Sequence, residues 1–224
     1  MKILGLIAGA AMLLGAQSAY AVTIVNGGFD SPAAGNPFDA LPSGSPGLPG
    51  WTIGGNGVDH IGNLWQPQSG SSSLDLSGNG APGHGSISQQ VTGFTIGQEY
   101  TISFYISGNI GSGADTKSLD LGLYDDALLT SFFDGAGYIY NTALKGNSNA
   151  DMKWALETFT FVAQQSAYYL AFADTSASAT NSGAALDSIT VAATPIPGAL
   201  LLFGSALGGM GFLGYRRKKQ TAEA

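Results

Sequence analysis

Between Asp59 and Asp75 the sequence gathers an imidazole, an indole and two carboxylates: Asp59, His60, Trp65 and Asp75. Sugar sites are built from such groups. The apolar face of a pyranose stacks on an aromatic ring, while polar side chains fix its hydroxyls. Trp65 stands among Asn63, Gln66, Pro67 and Gln68, a polar loop that leaves two outcomes open. Its ring is either an exposed platform or a piece of core folded onto the end of the domain. Trp51, directly after Pro49-Gly50, and Trp154, ahead of a hydrophobic strand, read as core. Tyr138 and Tyr140 form a weaker second aromatic candidate.

Catalytic chemistry is harder to assemble. The chain has no cysteine, which removes thiolate nucleophiles and zinc-thiolate sites. Its two histidines, His60 and His84, belong to no G-x-S-x-G elbow and no H-E-x-x-H spacing. Gly78 to Gly83 match G-x-G-x-x-G, but Pro82 and the surrounding glycines make a turn where a dinucleotide site needs a helix N-terminus. A glycosidase needs two carboxyl groups held across the scissile bond. The acids Asp59, Asp75, Asp120, Asp125 and Asp126 read as outward or turn positions, where acids serve solubility. We therefore expect a protein that is not an enzyme.

Charge narrows the partners further. Residues 22–193 carry three lysines against fourteen acids, a net charge of −11. Binding nucleic acid requires a positive surface, so that class is excluded. Glycine is abundant, at 34 residues, yet lacks a Gly-X-Y period, which implies many tight turns and no collagen.

The elements that must position these groups are strands. In YTISFYIS, Tyr100, Ile102, Phe104 and Ile106 share one face. Leu119, Leu121 and Leu123 repeat that spacing, as do Phe159 and Phe161. Leu186, Ile189 and Val191 close the series with a change of face near Asp187. Period-two runs separated by Gly, Asn, Asp and Pro predict an all-β, jelly-roll-like antiparallel sandwich. Shorter strands are expected at 23–25, 51–53, 58–61, 73–76, 87–91 and 167–173. Residues 31–50, with five of the nine prolines, read as a long loop across one edge.

In order along the chain, VNGGFDSP, LPGWTIGGNGVDHIGNLWQPQSGSSSLDLSGN, GSISQQV, GQEYTISFYISGN and ALDSITV resemble the choice-of-anchor C family. That family is related to a plant cell-wall domain of unknown function. The resemblance implies a galactose-binding-like β-sandwich associated with extracellular polysaccharide, without established catalysis. It also implies a structural calcium, held by an acid in an N-terminal Asn-Gly-x-Phe-acid motif and one before the final strand. Here those acids are Asp30 and Asp187; the alternative is that both cap turns.

The two ends address the protein. Lys2, an apolar stretch at 3–16 and Ala19-Tyr20-Ala21 form a signal peptide over 1–21, cleaved before Val22 by signal peptidase. Residues 197–215 carry no charge, and as a helix they would span about 28 Å, the thickness of a bilayer's hydrocarbon. Arg216, Arg217, Lys218 and Lys219 would hold that helix's end in the cytoplasm. Thr194-Pro195-Ile196-Pro197, the Gly- and Leu-rich helix and the basic tail resemble the PEP-CTERM sorting signals of Gram-negative bacteria, nearest their VPLPA variant. That resemblance implies an exosortase-type membrane protease as partner. The organisation expected is a signal peptide (1–21), a sandwich (22–193) and a sorting segment (194–224). Within the last lie a motif at 194–197, a transmembrane helix at 197–215 and a basic tail at 216–219. An inner-membrane-anchored intermediate would pass to the cell surface, outer membrane or extracellular matrix. Polysaccharide association, as a binding or matrix component, is the leading reading. A structural or adhesive surface protein is the alternative, and a polysaccharide-acting hydrolase a distant third.

Overall fold

The computed structural model describes residues 22–78, 83–177 and 180–195. The signal peptide, most of the sorting segment and the centre of the 78–83 turn therefore lie outside the described residues. Eleven strands form two antiparallel sheets, with one short helix between them in sequence. In chain order they are β1 (Phe38–Leu41), β2 (Thr52–Gly55), β3 (Val58–Ile61), β4 (Ser73–Asp75), β5 (Gly85–Thr92) and β6 (Glu99–Gly108). Then follow β7 (Thr116–Tyr124), β8 (Phe132–Asn141), α1 (Thr142–Lys145), β9 (Ala155–Val162), β10 (Ala167–Asp174) and β11 (Ala184–Ala193). The six-stranded sheet runs β1-β3-β4-β11-β6-β9 and the five-stranded sheet β2-β5-β10-β7-β8. The expected antiparallel β-sandwich is the fold.

Alternation explains the core. Ile102, Phe104 and Ile106 of β6 and Leu119, Leu121 and Leu123 of β7 are at most 2% exposed, whereas Thr101, Ser103 and Asp120 face away. One end is closed by aromatic rings: Phe94 lies 4.9 Å from Tyr100, 5.6 Å from Phe161 and 5.4 Å from Tyr168, each edge-on. The face change near Asp187 is a register shift between β11 and β6, with Ser188 at φ 54°. An irregularity of this kind re-aims the side chains that follow it.

Two expectations need correction. Residues 23–25 are not a strand; they lead into a turn that puts Phe29 against Trp51, ring centroids 5.9 Å apart. Residues 31–50 are not wholly loop, because β1 forms there and pairs with β3.

A second, smaller apolar cluster lies outside the main core. Ile61, Trp65, Met152 and Ala185 bury one another there, with Phe38, Leu64 and Trp154 at the margin. Here the loops after β3 and before β9 cover the outer face of the six-stranded sheet. The outer face of the five-stranded sheet has a different surface.

Candidate functional site

The residues singled out from sequence do not form an exposed site. Trp65 is 3% exposed and its Nε1 donates to the Ser73 hydroxyl at 2.9 Å, so the ring is core and not a platform. His60, a candidate to fix a sugar hydroxyl, is buried, with Nε2 2.7 Å from the Phe29 carbonyl oxygen. Asp59 and Asp75 are buried cross-strand partners and not solvated surface acids. Tyr140 is buried as well, donating its hydroxyl to the Met152 and Lys153 carbonyls. Tyr138 faces inward, edge-on to Phe104. Pro195 is exposed just past β11, while Pro197, Arg216 and Arg217 lie outside the described residues.

Asp30 and Asp187 meet the same loop. Asp187 Oδ2 accepts from the Gln68 and Ser69 amides at 2.9 and 3.3 Å, and Oδ1 from the Ser188 amide at 2.6 Å. Asp30 Oδ1 accepts from the Ser71 and Ser72 amides at 2.7 and 3.0 Å. Burial pushes the Asp187 carboxyl up to about 6, against the pull of those amides. Calcium needs six to eight oxygen ligands, and what surrounds these carboxylates is a set of loop N–H donors with the Ser71 and Ser188 hydroxyls, which donate to them at 3.1 and 3.3 Å. In this arrangement the pair ties down the 66–72 loop and does not fit a calcium shell. Among the described residues no three acids or histidines converge as metal ligands.

A groove crosses the outer face of the five-stranded sheet, and its residues were not singled out from sequence. The strand registers align Thr52, Ser88, Ala171, Gly122 and Gly135 in one row across all five strands. One step along the strands, Gln90, Tyr169, Tyr124 and Phe132 form a parallel row. On the other side run Gly54, Ser86, Ala173, Asp120 and Gly137. The result is a floor of small residues between an aromatic row and a row bearing one carboxylate. Tyr124, Phe132 and Asp120 line a depression of about 310 Å³ along it. The ring of Tyr124 leans back over Gly122, close enough that a Cβ there would lie 2.5 Å from its Cε2. Phe132 meets Tyr124 edge-on at 5.5 Å and is 60% exposed. Both rings lean over the floor row, Tyr124 at Gly122 and Phe132 at Gly135, where an added Cβ would lie 3.1 Å from the Phe132 Cε2. The signal in the sequence was glycine inside strands, in DLGLY and DGAGY, which marks close approach by a ligand or another backbone.

The model of the family described as "Protein of unknown function (DUF642)" matches residues 22–192. The chain belongs to this family. Among curated proteins, this DUF642 chain is 29% identical over 197 residues to Halomucin of Haloquadratum walsbyi (strain DSM 16790 / HBSQ001). The match spans 86% of this chain and 2% of Halomucin, so the chain is a small fraction of that relative's length. Among solved structures, it is similar to TmCBM61 in complex with β-1,4-galactotriose, with TM-score 0.46 and 12% identity over 77% of this chain and 99% of that one. It is likewise similar to the CBM22-1 xylan-binding domain of Paenibacillus barcinonensis Xyn10C, with TM-score 0.45 and 20% identity over 66% and 87% of the two chains.

The DUF642 chain also holds a buried polar network at one end of its sandwich. Asp75 Oδ1 accepts from the Ser77 and Gly183 amides at 2.9 and 3.0 Å, and Oδ2 from Asn109 Nδ2 at 2.7 Å. Burial pushes Asp75 up to about 7, these three hydrogen bonds pull the other way, and the Asp59 charge adds to the rise. Lys117, 2% exposed, donates to the Ser112 and Ser182 carbonyls at 2.8 and 2.6 Å. Burial lowers its pKa while Asp75, Asp174 and Asp115 oppose that. Asp174 Oδ2 lies 2.6 Å from His84 Nδ1, and Oδ1 accepts from the Ser176 hydroxyl at 2.6 Å. The hydroxyls of Ser77 and Ser176 are spent on the Gly83 carbonyl and on Asp174. The His84–Asp174 pair thus orients an imidazole without arming a nucleophile.

Proposed function

We propose that this is an exported protein that binds extracellular polysaccharide without transforming it, through the groove on the five-stranded sheet. The single observation that carries the reading is the alignment of Tyr169, Tyr124 and Phe132 beside a glycine- and alanine-lined floor. A sugar needs a ring to stack on and a floor low enough to admit it, with polar atoms at the rim. Ser86, Gln90 and Asp120 supply that rim. A non-catalytic role is supported by the buried hydroxyls and acids of the end network, none of which opens on the groove rows. The similarity to carbohydrate-binding modules agrees with this reading but is too distant to carry it.

Export and sorting rest on the sequence ends. Signal peptidase removes residues 1–21, and the 197–215 helix with its basic tail halts the chain in the inner membrane. An exosortase-type protease then acts at 194–197 and delivers the domain to the cell surface or matrix of a Gram-negative bacterium. Mass spectrometry of the native protein's C-terminus tests this part: a full-length chain retaining Arg216 refutes the processing step.

The groove is tested by glycan-array and affinity-electrophoresis measurements on the protein and on Tyr124→Ala and Gly122→Ala. At Gly122 the nearest atoms to an added Cβ all belong to the Tyr124 ring, so the ring is displaced and the strand keeps its place. Base or sugar stacking on an aromatic ring is worth on the order of 1 kcal/mol or more, so both variants should weaken binding roughly tenfold. Undiminished binding in both variants removes the groove as the site.

A further inference from the structure

We infer that the groove takes an uncharged, internal stretch of polysaccharide lying across the strands, and that Asp120 makes it reject acidic sugars. This deepens the proposed function and rests on the groove being a glycan site. Direction follows from the registers. The floor and its two flanking rows run perpendicular to the strands, from β2 to β8, so an extended chain fits along the rows and not along a strand. Four interstrand spacings of ~4.8 Å give a track of ~19 Å, room for about three or four sugar units of similar length. The aromatic row lies to one side along the track and closes neither end, so binding does not depend on a chain terminus.

Charge then selects the class. Asp120 is exposed on the groove, opposite Ala173 and Gly137, and an added Cβ at Gly137 would lie 3.0 Å from its Oδ1. Asp125 and Asp126 occupy the turn that joins the Tyr124 and Phe132 strands. No cation balances them on these rows. Among the described residues the cationic side chains are Lys117, Lys145 and Lys153. The first is buried on backbone carbonyls, the second lies 6.0 Å over the Tyr140 ring and the third pairs with Asp151. A uronate carboxylate on the track would face Asp120 uncompensated, and like-charge juxtaposition suppresses the wrong partner.

Calorimetric titration of the full-length protein tests the inference. The probes are neutral gluco-, manno-, xylo- and galacto-oligosaccharides of two to six units, with galacturonate and glucuronate hexasaccharides alongside. The result expected is affinity that climbs to four units and then levels, with uronates bound at least tenfold more weakly than the best neutral hexasaccharide. Asp120→Asn, an exposed isosteric change, should narrow that gap to about threefold. A uronate bound as tightly as the neutral chain, or a gap unchanged in Asp120→Asn, overturns the charge selection. A disaccharide bound as tightly as a hexasaccharide overturns the extended track. If no probe binds, the polysaccharide reading itself falls and takes this inference with it, a failure distinguishable from the other three.

Discussion

Raising the pH from 5 to 8 should destabilise this protein, which sets it apart from domains whose acids are held by ion pairs. The reason is Asp75, fully buried between strands with its charge disfavoured by desolvation. A carboxyl whose folded pKa lies above its unfolded value is held protonated by the fold. Its stabilising contribution is complete below 3.8 and vanishes as pH rises through about 7. The displacement from 3.8 to about 7 corresponds to about 4 kcal/mol at ~1.36 kcal/mol per pH unit. That is a large share of the roughly 5–15 kcal/mol that holds a typical domain together. Asp187 acts in the same direction, over a window closing near pH 6. The exposed Asp126 and Asp151, held below the usual carboxylate range, lose their contributions only at more acidic pH and leave the 5–8 interval flat. Urea unfolding followed by tryptophan fluorescence at half-unit pH steps measures the slope, provided the denaturant dependence stays constant. Asp75→Asn supplies the control. Its amide oxygen still accepts from Ser77 and Gly183, but its NH2 faces the Asn109 amide, which must turn and release the Gly111 N–H it now accepts at 2.7 Å. That rearrangement costs about 1 kcal/mol at every pH. The two stability curves therefore cross, with the wild type ahead at pH 5 and the variant ahead at pH 8. Wild-type stability that rises between pH 5 and 8, or a variant with the same slope, refutes the reasoning.

Two further outcomes follow from the same geometry. Trp65→Ala should lower stability by about 3–5 kcal/mol by emptying the small outer cluster, while leaving glycan affinity unchanged; weakened binding in a folded variant would return Trp65 to the site. Chelation with EDTA and addition of excess calcium should leave the melting temperature unchanged, because Asp30 and Asp187 already hold loop amides; a shift above 2 °C in either direction would show that the loop rearranges around an ion.

How much was readable depends on which side of a strand carried the signal. The inner face was plain: Tyr100, Ile102, Phe104 and Ile106 alternate with polar residues because one side of the sheet must leave water, and burial follows that alternation. Even the face change at Asp187 could be read. The sites were less legible. Asp59, His60 and Asp75 looked solvated because polar residues usually are; nothing local shows that loops will cover the outer face where Asp59 and Asp75 lie, or that His60 will share the inner face with Leu74. Trp65 belongs to a polar loop in sequence but to an apolar cluster in space, where it meets Met152 and Ala185 from distant segments. The groove escaped because its rows form only once five strands are in register. Tyr124 and Tyr169 are 45 positions apart in the chain and become neighbours through the pairing of β7 with β10.

The glycines of the groove bear most directly on whether this face is functional. A glycine inside a strand costs about 0.5–1 kcal/mol relative to alanine, so Gly54, Gly122, Gly135 and Gly137 together cost about 2–4 kcal/mol. None of the four has a positive φ, so backbone conformation does not demand them. At Gly135 a main-chain neighbour, the Leu121 carbonyl, leaves no room for a Cβ, and packing between strands accounts for it. The other three differ. A Cβ would meet only Ser86 Oγ at Gly54, the Tyr124 ring at Gly122 and Asp120 Oδ1 at Gly137, all of them side chains of the groove itself. Solvent-facing strand positions normally carry threonine or other residues of high strand propensity, as Thr101, Thr158 and Thr160 do on β6 and β9. Where stability alone would favour a side chain, this sheet instead lets the Ser86 hydroxyl, the Tyr124 ring and the Asp120 carboxylate lie close against the backbone, which is the low, flat surface that the proposed stacking of a sugar requires.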